Sequence, residues 1–308
     1  MQSTTTTVST PDGTALFTHR WLPDGDVRGV VQVLHGMAEH SSRYARLAEA
    51  LTGAGFAVYA HDHRGHGRTG GDDDHGYLAD ERGWQCLVDD ARAVTALATE
   101  EHPGLPVFLL GHSMGSVAAR EYVIGGSDDL AGLVLSGSVA DPGTMGLAGI
   151  GVARLEARLR GRRHTSGLLN TLSFGQYNAA FKPNRTEFDW LSRDEAEVDA
   201  YVADARCGQV FTSGFWTDFL PGIRAVNDPE RIARVRPDLP ILLLAGDKDP
   251  VGDGGKGPRS TREQYATAGV HDVTCTLYPG ARHEIFNETN RDEVTADLLA
   301  WLEAHLPG

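Results

Sequence analysis

Between Pro106 and Gly126 the chain reads PVFLLGHSMGSVAAREYVIGG. The apolar run Val107-Phe108-Leu109-Leu110 is too short for a buried helix and predicts a central parallel strand. A corner of small residues follows, Gly111-His112-Ser113-Met114-Gly115. Then comes a helical pattern, Val117 to Ile124, that Gly125-Gly126 brings to a stop. A G-x-S-x-G corner between a strand and a helix is a strained turn that holds its serine above the sheet edge. The glycines remove side chains where strand and helix close on each other. The helix N-terminus behind Ser113 offers free N–H groups and a positive dipole end to a developing negative charge. For the pentapeptide alone, a glycine-rich turn with a solvated serine is the plain alternative. The flanking strand and helix favour Ser113 as a nucleophile.

The rest of the chain alternates strand and helix around this unit. Thr6–Thr10 and Ala15–Trp21 flank the turn Pro11-Asp12-Gly13 and predict two strands; Thr4–Thr7 reads as a frayed start. Gly29–Leu34 and Phe56–Ala60 are short apolar strands. Between them a helix over Tyr44–Ala54 is expected, with Ser41 or Ser42 as its N-cap. A helix over Trp84–Glu100 precedes the Ser113 strand, and Leu133–Ser136 is the next strand. This rhythm predicts an α/β fold with a mostly parallel central sheet and helices on both faces. It breaks over residues 141–223, where helical pieces (Leu147–Leu159, Ser192–Asp204), a Ser/Asn/Gly stretch (Thr165–Asn178) and ten aromatics replace strands. This segment is expected to be an inserted helical lid, with residues 1–140 and 224–308 forming the core. Most of the aromatics are expected to form the insert's own small core, with two to four lining a pocket. The sheet resumes with Ile241–Ala245, a helix near Ser260–Ala268, and Val273–Tyr278. A final helix carries Val294, Leu298, Trp301 and Leu302 on one face, behind a capping box of Asn290 and Glu293.

A serine hydroxyl is a weak nucleophile until a base takes its proton and an acid orients that base. On a parallel sheet with this corner, the partners follow in the order Ser, Asp or Glu, His, each at the C-terminal end of a strand. Two places fit. Gly246-Asp247-Lys248-Asp249-Pro250 follows one late strand, and Ala281-Arg282-His283-Glu284 follows the last. Asp249 is the expected acid, with Asp247 and Asp253 as competitors. His283 is the expected base; His271 precedes its strand and His305 lies on the terminal helix. An oxyanion would be held by two main-chain N–H groups, those of Met114 and of Met37 in the loop His35-Gly36-Met37.

Composition narrows the partners. A net charge of −14, from 28 basic and 42 acidic residues, lacks the basic footprint that nucleic acid requires. No run reaches the length of a membrane span, and the N-terminus lacks a basic n-region and an apolar h-region. Cys86, Cys207 and Cys275 are odd in number and far apart, which suits a reducing cytoplasm. The cluster His61-Asp62-His63-Arg64-Gly65-His66-Gly67 lacks the spacing of a metal site, and a loop-shaping role is expected for it. The stretch Gly252–Pro258 lacks P-loop spacing and is expected to be a flexible turn. No cofactor and no metal are therefore expected. Arg154, Arg158, Arg160, Arg162 and Arg163 crowd beside Val152, Leu155 and Leu159. They read either as a solvated face paired with local acids or as a transient contact with a membrane surface.

Several motifs together resemble the α/β-hydrolase superfamily, and within it the monoacylglycerol lipase and bacterial lysophospholipase group. They are His35-Gly36-Met37-Ala38-Glu39-His40-Ser41-Ser42-Arg43-Tyr44, Asp62–Gly67, Gly111–Ser116, Gly246–Gly252 and Ala281–Glu284. Phe181–Thr186 and Phe188–Asp194 also resemble the bacterial branch. The resemblance implies an α/β-hydrolase fold with Ser113, Asp249 and His283 as triad and Met37 and Met114 as oxyanion donors. It also implies a serine carboxylic-ester hydrolase acting through an acyl-enzyme on monoacylglycerol or lysophospholipid-type esters. A small-ester esterase, an acyltransferase, a C–C bond hydrolase or a non-catalytic binding module would use the same scaffold. Headgroup, acyl length and oligomeric state stay open.

Overall fold

The computed structural model describes residues 1–71 and 74–306; the last two positions of the expected core segment, 307–308, lie outside them. In chain order the elements are β1 (Gln2–Ser9), β2 (Ala15–Leu22), β3 (Gly29–Leu34), α1 (Ala45–Gly53), β4 (Phe56–His61), α2 (Gly83–Glu101), β5 (Val107–His112), α3 (Met114–Ile124) and β6 (Gly132–Ser136). There follow α4 (Gly143–Arg160), α5 (Gly167–Phe174), α6 (Glu195–Ala203), α7 (Ser213–Ala225), α8 (Pro229–Ile232), β7 (Ile241–Gly246), α9 (Lys256–Thr267), β8 (Val273–Tyr278) and α10 (Arg291–Ala304).

The strands form one sheet in the order β1-β2-β4-β3-β5-β6-β7-β8. β1 and β2 are antiparallel to their neighbours, and the pairs from β4 to β8 are parallel. β3, β4, β5, β6 and β7 are buried along their whole length, as strands covered on both faces must be. Alternate residues face opposite layers. Val30 and Leu109 pack with α2 and α3, while Val31, Phe108 and Leu110 pack with α1 and α10. Gln32 is buried among them because its amide is satisfied, donating to Ala91 O at 2.9 Å and accepting from Thr95 Oγ1 at 2.6 Å.

Several local expectations are corrected. Thr4–Thr7 is not frayed; it is paired in β1, in register Gln2↔Leu22 to Ser9↔Ala15. α1 has no side-chain cap. Ser41 and Ser42 lie in a 3₁₀ turn, and the Ser41 hydroxyl donates to the Asp62 carboxylate instead. Asn290 stands at the N-cap of α10 but bonds the Glu293 carboxylate rather than a helix N–H, so no capping box forms. α4 begins at Gly143, four residues early, and α9 begins at Lys256, inside the stretch expected to be a flexible turn.

The largest revision concerns α7, which was not anticipated because Pro221 lies inside it. Phe211, Phe215, Trp216 and Phe219 do not form a private core for the insertion. They join the hydrophobic layer of α2 and α3, with the Phe219 ring 5.4 Å from Trp84 and Phe211 4.9 Å from His66. Each such buried side chain contributes on the order of 1.5–3 kcal/mol. α7 is thereby anchored, whereas α4 and α5 leave Met145, Leu155, Leu159, Leu168 and Leu172 exposed.

Candidate active site

Ser113 sits at the corner between β5 and α3 with φ 51° and ψ −117°, a conformation costly for a residue with a side chain. The neighbours over-determine it. Its N–H donates to Ser136 O at 3.0 Å, and its carbonyl accepts the Ser116 hydroxyl at 2.6 Å. A Cβ on Gly115 would stand 2.1 Å from Leu34 O, and one on Gly111 2.3 Å from Gly115 O. Only glycine lets α3 pack this closely on the sheet. As α3 begins at Met114, the N–H of that residue belongs to a helix's first turn and has no intrahelical acceptor.

β7 and β8 bring the other expected residues together. His283 Nδ1 lies 3.0 Å from Oδ1 and 3.0 Å from Oδ2 of Asp249. Both side chains are buried. Asp249 also accepts Val251 N–H at 2.9 Å, which fixes the carboxylate. The competing acids are engaged elsewhere: Asp247 accepts Gly280 N–H at 2.7 Å, and Asp253 pairs with Lys256 at 3.0 Å. Burial alone would lower the pKa of His283. The charge and hydrogen bond of Asp249 outweigh it, and the pKa is raised above its usual 6.5. The His112 ring packs 4.8 Å from His283 and is pushed down to about 4 by burial and by that imidazole. His271 is at the other end of the sheet, donating its N–H to Pro237 O.

The loop after β3 runs directly beside Ser113. A Cβ on Gly36 would lie 3.2 Å from that of Ser113. Among the described residues, the N–H of Met37 has no hydrogen-bond partner. Ala38 holds φ 61°, and its carbonyl accepts the Tyr201 hydroxyl at 2.8 Å and Gly208 N–H at 3.0 Å. Glu39, at the end of the loop, turns back to accept Gly36 N–H at 2.6 Å.

Ser113, Met37, Met114 and His283 all line one cavity of 930 Å³. Its walls include Met145, Val152, Leu169, Phe174, Trp190 and Trp216, so aromatic and aliphatic carbon surrounds the polar floor. Residues 190–193 also grip the histidine loop. Glu284 N–H donates to Leu191 O at 2.8 Å, and the Trp190 ring lies 5.1 Å from the His283 ring. The buried Glu288 carboxylate accepts Arg282 N–H at 2.8 Å and Arg193 Nε–H at 2.8 Å. Sequence reasoning did not anticipate a role for Glu39, Arg43, Trp190, Glu284 or Glu288. The one sequence signal that could have found any of them is the four-residue spacing of Glu39 and Arg43.

The histidine run shapes its loop. His35 Nε2 accepts His63 N–H at 2.9 Å, and His66 Nδ1 lies 3.1 Å from Arg64 O. Its ring nitrogens do not converge. Among the described residues the group whose ligand atoms do approach one another is His40, Asp204 and Cys207, where His40 Nε2 already pairs with Asp204 at 2.9 Å. Of the arginine cluster, Arg162 pairs with Asp218 and Arg163 with Asp74, while Arg154 and Arg158 are exposed on α4. Among the described residues no helix is long and apolar enough to cross a membrane.

Known proteins match this chain across nearly its full length. The monoacylglycerol lipase of Mycolicibacterium smegmatis is 33% identical over 289 residues, 93% of this chain and 92% of that protein. The monoglyceride lipase of Homo sapiens is 32% identical, over 90% of this chain and 82% of the human protein. A thermostable carboxyl esterase from Bacillus coagulans, solved in complex with glycerol, superposes on the whole chain with a TM-score of 0.93 at 28% identity. A family model described as "Serine aminopeptidase, S33" matches residues 25–290. The protein therefore belongs to that family of serine hydrolases, and its sheet is the α/β-hydrolase fold of its relatives.

Proposed function

We propose that this protein hydrolyses the ester bond of a monoacylglycerol- or lysophospholipid-type lipid through a covalent acyl-enzyme. One observation carries the reading: a strained Ser113 and a buried His283–Asp249 pair open onto the same apolar cavity. Ser113 Oγ attacks the ester carbonyl carbon while His283 Nε2 takes its proton. The N–H groups of Met37 and Met114 hold the oxyanion. Collapse of this intermediate breaks the ester C–O bond, and His283 returns the proton to the departing alcohol. His283 then removes a proton from water, which attacks the acyl-enzyme, releases the fatty acid and restores Ser113. Asp249 keeps the imidazole oriented and stabilises its charged form.

The lipid substrate is supported by the cavity's size and carbon lining and by the relatives named for monoacylglycerol. Residues 141–223 serve as the lid, with α4 and α5 as the part that meets a lipid surface through its exposed leucines and the exposed Arg154 and Arg158. The three cysteines are unpaired thiols, which agrees with a cytoplasmic location.

Hydrolysis of p-nitrophenyl esters from acetyl to palmitoyl, with Ser113→Ala alongside, tests the reading. The expected result is a preference for medium or long chains and loss of at least about 10³-fold in the variant. Equal rates on acetyl and decanoyl esters would overturn the lipid assignment, and an active Ser113→Ala the nucleophile.

A further inference from the structure

Arg43 sits behind the cavity wall between two carboxylates. Its Nη1 lies 2.6 Å from Glu39 Oε2 and 2.6 Å from Glu284 Oε1, and its Nη2 lies 2.7 Å from Glu284 Oε2. The three side chains are 11%, 4% and 6% exposed. Glu39 Oε1 also accepts the Tyr44 hydroxyl at 2.8 Å and the N–H of Gly36 at 2.6 Å. Burying three charges is expensive, and apolar residues of similar volume often serve stability as well or better. The arrangement does something that apolar packing could not. It joins the loop after β3 to the loop after β8, and β5, β6 and β7 stand between those two strands in the sheet. Among the described residues no backbone hydrogen bond joins the two loops directly.

The bridge ends at the two groups that matter for the reaction. At one end it holds Gly36. His35 takes the other side of that residue: its Nδ1 lies 2.7 Å from Gly36 O, and its Nε2 accepts from His63, so the proton is on Nδ1. In a trans peptide, C=O and N–H point in opposite directions. Drawing Gly36 O toward His35 therefore aims the Met37 N–H the opposite way, and the Glu39 carboxylate stops the preceding peptide from turning. At the other end Glu284 is the residue next to His283.

We propose that Glu39 and Arg43 are positioning residues of the reaction, which lock the Met37 N–H and the His283 imidazole into one fixed relation across the cavity. This rests on the roles given above to Met37 and His283. The bridge also adds one net negative charge to the surroundings of His283. Asp249, Glu284 and Glu39 face that ring with negative charge, His112 is neutral beside it, and Arg43 offsets only one of the carboxylates.

The test uses the full chain with Glu39→Gln and Arg43→Lys. Active sites are counted by fluorophosphonate labelling of Ser113, and folding is followed by thermal melting. Decanoyl-ester kinetics are recorded against pH, along with the affinity of an alkyl trifluoromethyl ketone, which forms an oxyanion on the serine. A misaimed donor lowers kcat per labelled site by about 10- to 100-fold, less than the loss of a whole donor. KM stays within about twofold, and ketone affinity falls in step with kcat. Glu39→Gln also moves the acid limb of kcat/KM to lower pH. Glu39→Gln, close in shape to the native residue, carries the test if Arg43→Lys does not fold. Variants that melt lower but keep wild-type kcat per labelled site and an unmoved acid limb would overturn the proposal, leaving the bridge a structural element. A folded wild type that neither labels at Ser113 nor hydrolyses any ester would overturn the catalytic reading and this proposal together. A labelled, active wild type with unaffected variants would overturn the bridge alone.

Discussion

Both carboxylate oxygens of Asp249 lie 3.0 Å from Nδ1 of His283, and neither side chain reaches solvent appreciably. This symmetric contact assigns the Nδ1 proton to the shared bond and leaves Nε2 free toward the cavity. Because the carboxylate overcomes the effect of burial, the imidazolium is favoured beyond its usual range.

In the proposed mechanism His283 acts as a base and must be the neutral ring. Its raised pKa places the acid limb of kcat/KM above pH 6.5, with activity lost as pH falls through it. Asp249→Asn removes the stabilising charge. It should move that limb to lower pH and reduce kcat on the order of 10³–10⁴-fold. A pH–rate series on both proteins checks this, and a limb that does not move would exclude Asp249 as the partner.

Stability should fail toward acid for a separate reason. His61, His66 and His112 are held at about 4 by burial, and His35 and His63 lie well below 6.5. The unfolded chain binds protons at these sites first. Their contribution is therefore complete above pH 6.5 and is lost progressively as pH falls from 6.5 toward 4. His283 has the opposite sign, contributing below 6.5 and losing that contribution as pH rises, but it is one group against five. Each of the three held at about 4 amounts to on the order of 3 kcal/mol over the window, against a total stability of roughly 5–15 kcal/mol. Circular dichroism should show cooperative unfolding between about pH 6 and 4. Both ring nitrogens of His61 lack a hydrogen-bond partner among the described residues. His61→Leu should therefore raise Tm at pH 5 more than at pH 8, and an equal change at both would contradict the assignment.

The corner depends on the absence of a Cβ at position 115. Gly115→Ala brings that carbon to 2.1 Å from a backbone oxygen of β3, which cannot yield as a side chain could. A loss of about 3 kcal/mol follows from overpacking of this kind, or roughly 6–12 °C in Tm. Differential scanning calorimetry measures it. A variant that melts with the wild type would mean that α3 can move off the sheet at no cost.

Leu155 and Leu159 are 58% and 74% exposed on α4, and neither lines the cavity. Replacing both with serine should slow hydrolysis of monoacylglycerol embedded in anionic vesicles several-fold. Turnover of soluble p-nitrophenyl acetate should stay unchanged, since the reacting groups are untouched. An equal effect on both substrates would point to damage within the fold rather than to a lost surface contact.

The parallel sheet and the Ser113 corner could be read locally, because each rests on neighbours in sequence. Apolar runs of four to six residues make buried strands, and glycines mark where strand and helix must touch. The insertion was harder to read. Pro221 conceals α7 from a helical reading, and aromatics at Phe211–Phe219 look alike whether they fill a small private core or join the main one. Only their contacts with Trp84 and His66 decide it.

What the sequence by itself determined is therefore the strand order along the chain, the strained serine, and the strand ends at which an acid and a base would fall. Tertiary structure decided which groups meet. Asp249 rather than Asp247 or Asp253 reaches His283, because those two are held by Gly280 and Lys256. Arg43 meets Glu284 across 241 positions of chain, and Tyr201 meets Ala38 across 163. The physical reason is that periodicity and turn chemistry act over a few residues, where each peptide constrains the next. A hydrogen bond between loops from distant strands depends on the twist, packing and depth of everything between them.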